Sequence, residues 1–169
     1  MPYIMVDVEA DGPIPGDYSM VCFGAVDVAD PSRTFYGELQ PISGVWIPNA
    51  LKVSGFTREE TMKFPDPLET MKAFEKWLSE KKNPMFIADN NGFDYMFISW
   101  YFWHFLGRNP FGHSSTNLGS LYKGLVKSVF KNFKYLRETK HDHNPVNDAM
   151  GNVEAFHKMV EMGLKVSKK

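Results

Sequence analysis

Residues 1–10 read MPYIMVDVEA. Tyr3-Ile4-Met5-Val6 has the apolar, β-favouring character of a buried strand, yet the same segment goes on to place carboxylates at Asp7 and Glu9. Side chains alternate along a strand, so residues two apart share a face. Asp7 and Glu9 therefore repel one another beside an apolar core. A chain that keeps such a pair has a cation there, or a raised pKa that serves acid–base chemistry. The alternative is a pair of solvated acids at a strand end, and the remaining sequence has to decide.

The 169 residues suffice for one well-buried core, and no linker or low-complexity run divides them, so a single domain over 1–169 is expected. Hydrophobic residues at 43% and aromatics at 15% exclude a disordered chain. The lone cysteine, Cys22, has no intramolecular partner, which favours a reducing, cytoplasmic setting. No basic start and long apolar run precede Asp7, so no secretory signal is expected. The most apolar stretch, Tyr95 to Phe105, covers 11 residues, against about 20 for a bilayer span, and reads as a core helix with no membrane role. Net charge is −1, but residues 1–84 hold 8 Lys/Arg against 13 Asp/Glu, and residues 85–169 hold 11 against 7. A neutral total can thus carry a basic wall beside an acidic pocket.

Strands are expected at Tyr3 to Val8, Ser19 to Val28 and Arg33 to Leu39, with the turn at Asp30-Pro31-Ser32. That makes an antiparallel meander. A helical pattern starts at Pro67, with Leu68, Met71, Phe74, Trp77 and Leu78 on helix spacing. A short buried strand follows at Met85 to Ala88, then the aromatic helix from about Phe93. Helices are expected again at Leu121 to Leu136 and from about Asn147 to Met162. Three antiparallel strands followed by alternating helices and strands give a mixed α/β sheet flanked by helices.

Three acidic places must then be weighed together. Asp7 and Glu9 end the first strand, Asp94 interrupts the apolar ADNNGFDYMF, and Asp148 opens the last helix, five residues after His143. Singly, Asp94 reads as a helix cap, Asp148 as a first-turn acid favoured by the helix dipole, and His143 as a surface loop residue. Jointly, four hard oxygen donors and one histidine at element ends are what two Mg²⁺ or Mn²⁺ ions need to clamp a phosphodiester.

Asp7-x-Glu9, Asn90-x-x-Phe93-Asp94 and His143-x-x-x-x-Asp148 resemble, in order and spacing, the three motifs of the DEDD exonuclease superfamily, histidine subtype, also called DnaQ-like. The likeness runs over about residues 3 to 160, taking in VSGFTREE (Val53 to Glu60) and DAMGNVEAF. It implies a ribonuclease H-like fold, with Asp7, Glu9, Asp94 and Asp148 as ligands to two divalent ions. It also implies His143 as general base for the attacking water; an imidazole suits this, with an unperturbed pKa of about 6.5. Nucleoside 5′-monophosphates would leave from a 3′ end. In two places the chain departs from the family pattern. Ala10 and Asp11 follow Glu9 where a threonine is common, and Asp89 replaces the histidine common before Asn90. His141, seven residues before Asp148, is a decoy on this spacing.

Single strands are held by stacked aromatics and a basic track. Lys123, Lys127, Lys131 and Lys134 fall on helical spacing and could line phosphates, or simply form a solvated face. Around the first motif, Ala10 and Asp11 offer backbone amides, Gly12 permits close approach of backbone to nucleotide, and Ile14 or Met20 could wedge under a terminal base. Asn90 and Phe93, inside the second motif, are further candidate substrate contacts.

The expectation is a metal-dependent 3′-5′ exonuclease on single-stranded nucleic acid with a free 3′ end, with RNA favoured over DNA on small size and on the absence of an added polymerase-binding or duplex-binding segment, and homodimerisation expected from the resemblance. A DNA-trimming or proofreading exonuclease is the runner-up. A non-catalytic binding module would lose one of the five motif residues, and all five are present. An endonuclease on the related scaffold is disfavoured by the His-x-x-x-x-Asp spacing.

Overall fold

A computed structural model describes residues 1–166. Five strands form one sheet in the order β3-β2-β1-β4-β5, with β1 Tyr3–Ala10, β2 Met20–Asp27, β3 Asp30–Glu38, β4 Met85–Ala88 and β5 Ser115–Asn117. β1, β2 and β3 pair antiparallel, while β4 and β5 run parallel to β1. The helices are α1 Pro48–Val53, α2 Arg58–Thr61, α3 Pro67–Ser79, α4 Asn91–Leu106, α5 Leu118–Leu125 and α6 Pro145–Glu161. None of them is long and apolar enough to cross a membrane.

Alternation along β1 decides what each face of the sheet carries. Ile4, Val6, Val8 and Ala10 pack with Phe74 of α3 and with Phe97, Ile98 and Phe102 of α4. Met5 joins Val153, Phe156 and Met159 of α6 on the other face, so Asp7 and Glu9, in phase with Met5, point to the α6 side. β4 pairs with β1 only through Tyr3, Ile4 and Met5. Beyond Met5 the two strands part, and the carboxyl half of β1 is left open between α4 and α6. Crevices outside the carboxyl ends of parallel strands are where α/β sheets bind ligands.

Gly24 holds α6 at that crevice. It pairs with Asp7 across β1 and β2, and a Cβ there would lie 2.4 Å from the Pro145 carbonyl carbon and the Val146 nitrogen. The first turn of α6 therefore rests on bare backbone, which brings Asp148 close to Asp7. Gly24→Ala should push this turn away, lowering kcat on any substrate by roughly tenfold or more, since small misplacements of reacting groups cost up to 10²-fold. Steady-state kinetics alongside a thermal melt would separate that displacement from simple unfolding.

The structure corrects two expectations and adds three short elements. The hairpin turn is Val28-Ala29, because the Asp27 carboxylate accepts the Ala29 N–H (2.9 Å) and closes the turn early. Asp30-Pro31-Ser32 instead opens β3, whose position at the sheet edge tolerates proline. Residues 121–136 are not one helix. α5 stops at Leu125, Lys127 takes a left-handed backbone (φ 54°), and the chain folds back so that the Tyr122 and Tyr135 hydroxyls meet at 2.8 Å. The lysines therefore do not form a single helical row. Finally, α1, α2 and β5 come from stretches that carry too few residues for a periodic signal.

Candidate active site

Four elements converge on the open half of β1. Asp7, Glu9 and Asp148 place carboxylate oxygens within 4.8 Å of one another, and His141, His143 and Asp148 form an overlapping group of the same tightness. Asp94 arrives from α4 on the opposite face: its Oδ1 accepts the Val8 N–H (3.2 Å), a donor that β4 leaves unpaired when it diverges. Glu9, Asp94 and Asp148 are buried, and Asp7 is partly so. Burial pushes Asp7 well above the usual carboxylate range, and Asp94, Asp148 and Glu9 push it further, while Arg137 opposes them. Asp94 is raised by burial and by the negative charges of Asp89 and Glu9. Glu9 is raised to about 6, again by burial, although His143 beside it pulls the other way.

The two histidines reach the carboxylates from the loop before α6. His143 Nδ1 lies 3.5 Å from Glu9 Oε1, and the residue holds a left-handed backbone (φ 62°), a sparsely populated state for a non-glycine residue. His141, set aside on spacing, also comes in: its Nδ1 is 2.7 Å from Asp148 Oδ2, and the two imidazoles sit 4.4 Å apart. With His143 in a left-handed turn, both rings reach the carboxylates, and Asp142, the one residue between them, is exposed. The Asp142 N–H donates to Asp148 Oδ1 and its side chain accepts from Asn147, so Asp142 braces the turn.

The remaining sequence-predicted residues divide. Ala10 and Gly12 line an apolar slot of about 360 Å³ beside Glu9, closed by Pro13, Phe93, Ile47, Ala50 and Val53. The space that a Gly12 side chain would fill is taken by the Tyr18 ring. Ile47 and Val53 of the α1 region wall the slot, whereas Ile14 is exposed and does not line it. Met20 is fully buried in β2 and cannot reach a ligand. Asp11 is also fully buried and is spent inside the protein. It pairs with Arg58 (2.9 Å), accepts the Ser19 N–H, and its carbonyl accepts the Ile47 N–H, which ties α1 to the end of β1 and holds the slot's far wall. Asn90 caps α4, exposed at the mouth of the site. Asp89 pairs with Arg137 (2.9 Å), so the acid at this departure from the motif anchors a cation that also acts on Asp7.

No family model matches the chain. The 3′-5′ DNA exonuclease Cap18 of Escherichia coli is 35% identical over 166 residues, covering 91% of this chain and 89% of its own length. Among solved structures, the nuclease domain of 3′hExo, a DEDDh family member bound to rAMP, superposes with a TM-score of 0.75 at 16% identity, over 99% of this chain and 96% of that one. Cell-death related nuclease 4 superposes with a TM-score of 0.75 at 15% identity, over 95% of this chain and 64% of that one. At those identities the structural matches speak for the ribonuclease H-like fold, and the sequence match supplies the family. This chain belongs to the DEDD superfamily of 3′-5′ exonucleases.

Proposed function

We propose that the convergence of Asp7, Glu9, Asp94 and Asp148 around one open strand edge forms a two-metal hydrolytic centre acting at the 3′ end of a single nucleic-acid strand. The observation that carries this reading is the state of the buried oxygens. Asp94 Oδ2 is buried without a hydrogen-bond partner, and Asp148 Oδ2 has only the His141 ring nitrogen beside it, within a cluster whose like charges raise the pKa values of Asp7, Glu9 and Asp94. Carboxylates in that condition need protons or cations. A hard, all-oxygen donor set of this kind suits Mg²⁺ or Mn²⁺. Two such ions, once bound, supply charge neutralisation at the scissile phosphate and a water of lowered pKa.

The chain's own residues do the rest. Asp7, Glu9, Asp94 and Asp148 hold the ions. The slot walled by Phe93, Ile47, Ala50 and Val53 takes the terminal base and sets the 3′-terminal phosphodiester against Glu9. His143, with Nδ1 turned to Glu9, takes the proton of the attacking water on Nε2. The water's oxygen bonds to phosphorus, the bond to the 3′ oxygen of the preceding nucleotide breaks, and a nucleoside 5′-monophosphate leaves the slot.

DNA is the first polymer to test, because Cap18 bears the name of a DNA exonuclease, a weightier ground than those that favoured RNA. Matched 5′-labelled single strands of the two polymers, incubated with Mg²⁺ or Mn²⁺, should both give a ladder descending from the 3′ end, faster for DNA. Faster loss of RNA would reverse the substrate assignment. Cleavage of a circular single strand would overturn the exonuclease reading itself, since a circle has no end.

A further inference from the structure

Beyond the acidic crevice, charge and exposed apolar surface coincide at one other place. From Tyr95 to Arg137 the chain contains no acidic residue, and after Arg108 its cations are Lys123, Lys127, Lys131, Lys134 and Arg137. The four lysines are exposed and form no ion pair among the described residues. The loop after α5 carries Phe130, 95% exposed, and Val129, 69% exposed, and Tyr135 close by is 68% exposed. A phenyl ring held almost wholly in water contributes nothing to the core. A groove of about 640 Å³ runs under this tip, along Ser120, Lys123, Gly124 and Lys127 of α5 and its end, with Ser128 and Phe130 as its other wall. Lys127 holds its left-handed conformation here, and strain of this sort collects at functional loops.

The near end of the groove is tied to the mouth of the candidate site through one side-chain hydrogen bond. Its first residue, Ser120, lies in the opening turn of α5, capped by Asn117 at the carboxyl end of β5, and the Asn117 side chain donates to the Asp89 carbonyl at the mouth of the site (2.7 Å). β5 is two strands from β1, a displacement of about 10 Å. A strand whose 3′ nucleotide sits in the slot beside Glu9 can therefore leave past Asp89 and along α5. Uncompensated lysines select a polyanion, and an exposed ring next to them stacks on a base of any identity.

We propose that Phe130, with Lys123 and Lys127, is a second substrate contact that grips the single strand on the 5′ side of the nucleotide being removed. Phe130 stacks on a base while the lysines follow the phosphates. The proposal rests on reading the chain as an exonuclease, and it adds that this enzyme holds long strands through a site distinct from the slot.

The test compares wild-type protein with Phe130→Ala and with Lys123→Ala/Lys127→Ala. Binding of a long fluorescein-labelled single strand is followed by anisotropy in EDTA over a salt series, and the p-nitrophenyl ester of thymidine 5′-monophosphate serves as a substrate too short to reach the tip. Phe130→Ala should weaken binding of the long strand about tenfold, as loss of one base stack does. The double lysine variant should lower the salt slope by about 1.4, roughly 0.7 per phosphate contact on a single strand. KM for the long strand should rise in parallel, and the loss should be confined to strands long enough to reach the tip. Unaltered long-strand binding in both variants would overturn the proposal. So would a wild-type dimer that Phe130→Ala dissociates with no effect on binding, which would make the tip a surface for a second copy. Failure of the wild type to hydrolyse any substrate would count against the exonuclease reading, while weakened binding by Phe130→Ala in the same experiment would still support the tip.

Discussion

Asp7→Asn is expected to abolish hydrolysis and, in metal-free buffer, to raise the melting temperature. Both effects follow from one geometry. Asp7 faces Asp94, Asp148 and Glu9 in a buried crevice, and each of these raises its pKa. If Asp7 is a ligand of the proposed two-ion centre, removing its charge should forfeit several kcal/mol of transition-state stabilisation, a loss on the order of 10³-fold or more in kcat. Without metal, the same charge is a burden on the folded state. Protons bound more tightly by the folded protein contribute stability that is fully present below the unfolded carboxylate value of about 4, and it is lost as pH rises through the folded values. For Glu9 the folded value is about 6, and for Asp7 and Asp94 it is raised well above the ordinary range. Asp27, Glu75 and Glu154 shift downward, so their contribution is already complete above the normal carboxylate range. Metal-free wild type should therefore melt lower at about pH 8 than at about pH 5, and Asp7→Asn should flatten that difference. Each kcal/mol recovered corresponds to roughly 2–4 °C in a chain of this size. A metal-free wild type that gains stability from pH 5 to pH 8 would contradict the electrostatic account of the crevice.

His143→Ala should lower kcat by about 10²–10⁴, the range for loss of a positioned general base, and leave KM and metal affinity close to wild type. The argument is positional. His143 stands at the rim, nearly half of its side chain exposed (46%), with Nδ1 against Glu9, where it can meet a water bound among the carboxylates. His141 is held on Asp148 at 2.7 Å, so its imidazole supports a carboxylate rather than a water. His141→Ala should cost less in kcat and more in metal affinity. If the two variants exchange these phenotypes, the base has been assigned to the wrong histidine.

The residues of the candidate site that the structure brings together were legible in the sequence because each part of the set is local. An acid pair two apart on a strand, an acid in the first turn of an apolar helix, and a histidine five before another helix-opening acid each carry their own geometry. The slot was hidden because its walls come from β1, the loop after it, α1 and the start of α4, which only the tertiary fold brings together. Asp11 illustrates the same limit: adjacent to the motif in sequence, it is turned inward by Arg58, a partner 47 positions away. His141 was missed because spacing alone cannot show a left-handed turn at His143. The lysines from 123 to 134 match a helix in period, but Lys127 breaks the backbone and Tyr135 returns to Tyr122, which gathers them on a lobe instead of a row. Periodicity reports what a segment would do alone, and here tertiary contacts prevailed.

The central claim is that four carboxylates on an open strand edge form a two-ion site, and calorimetric titration with Mn²⁺ in the presence of a nucleoside 5′-monophosphate tests it most directly. The account predicts two ions per chain for wild type and loss of at least one in Asp7→Asn. A wild-type protein that binds no ion, or binds equally well after Asp7→Asn, would contradict it.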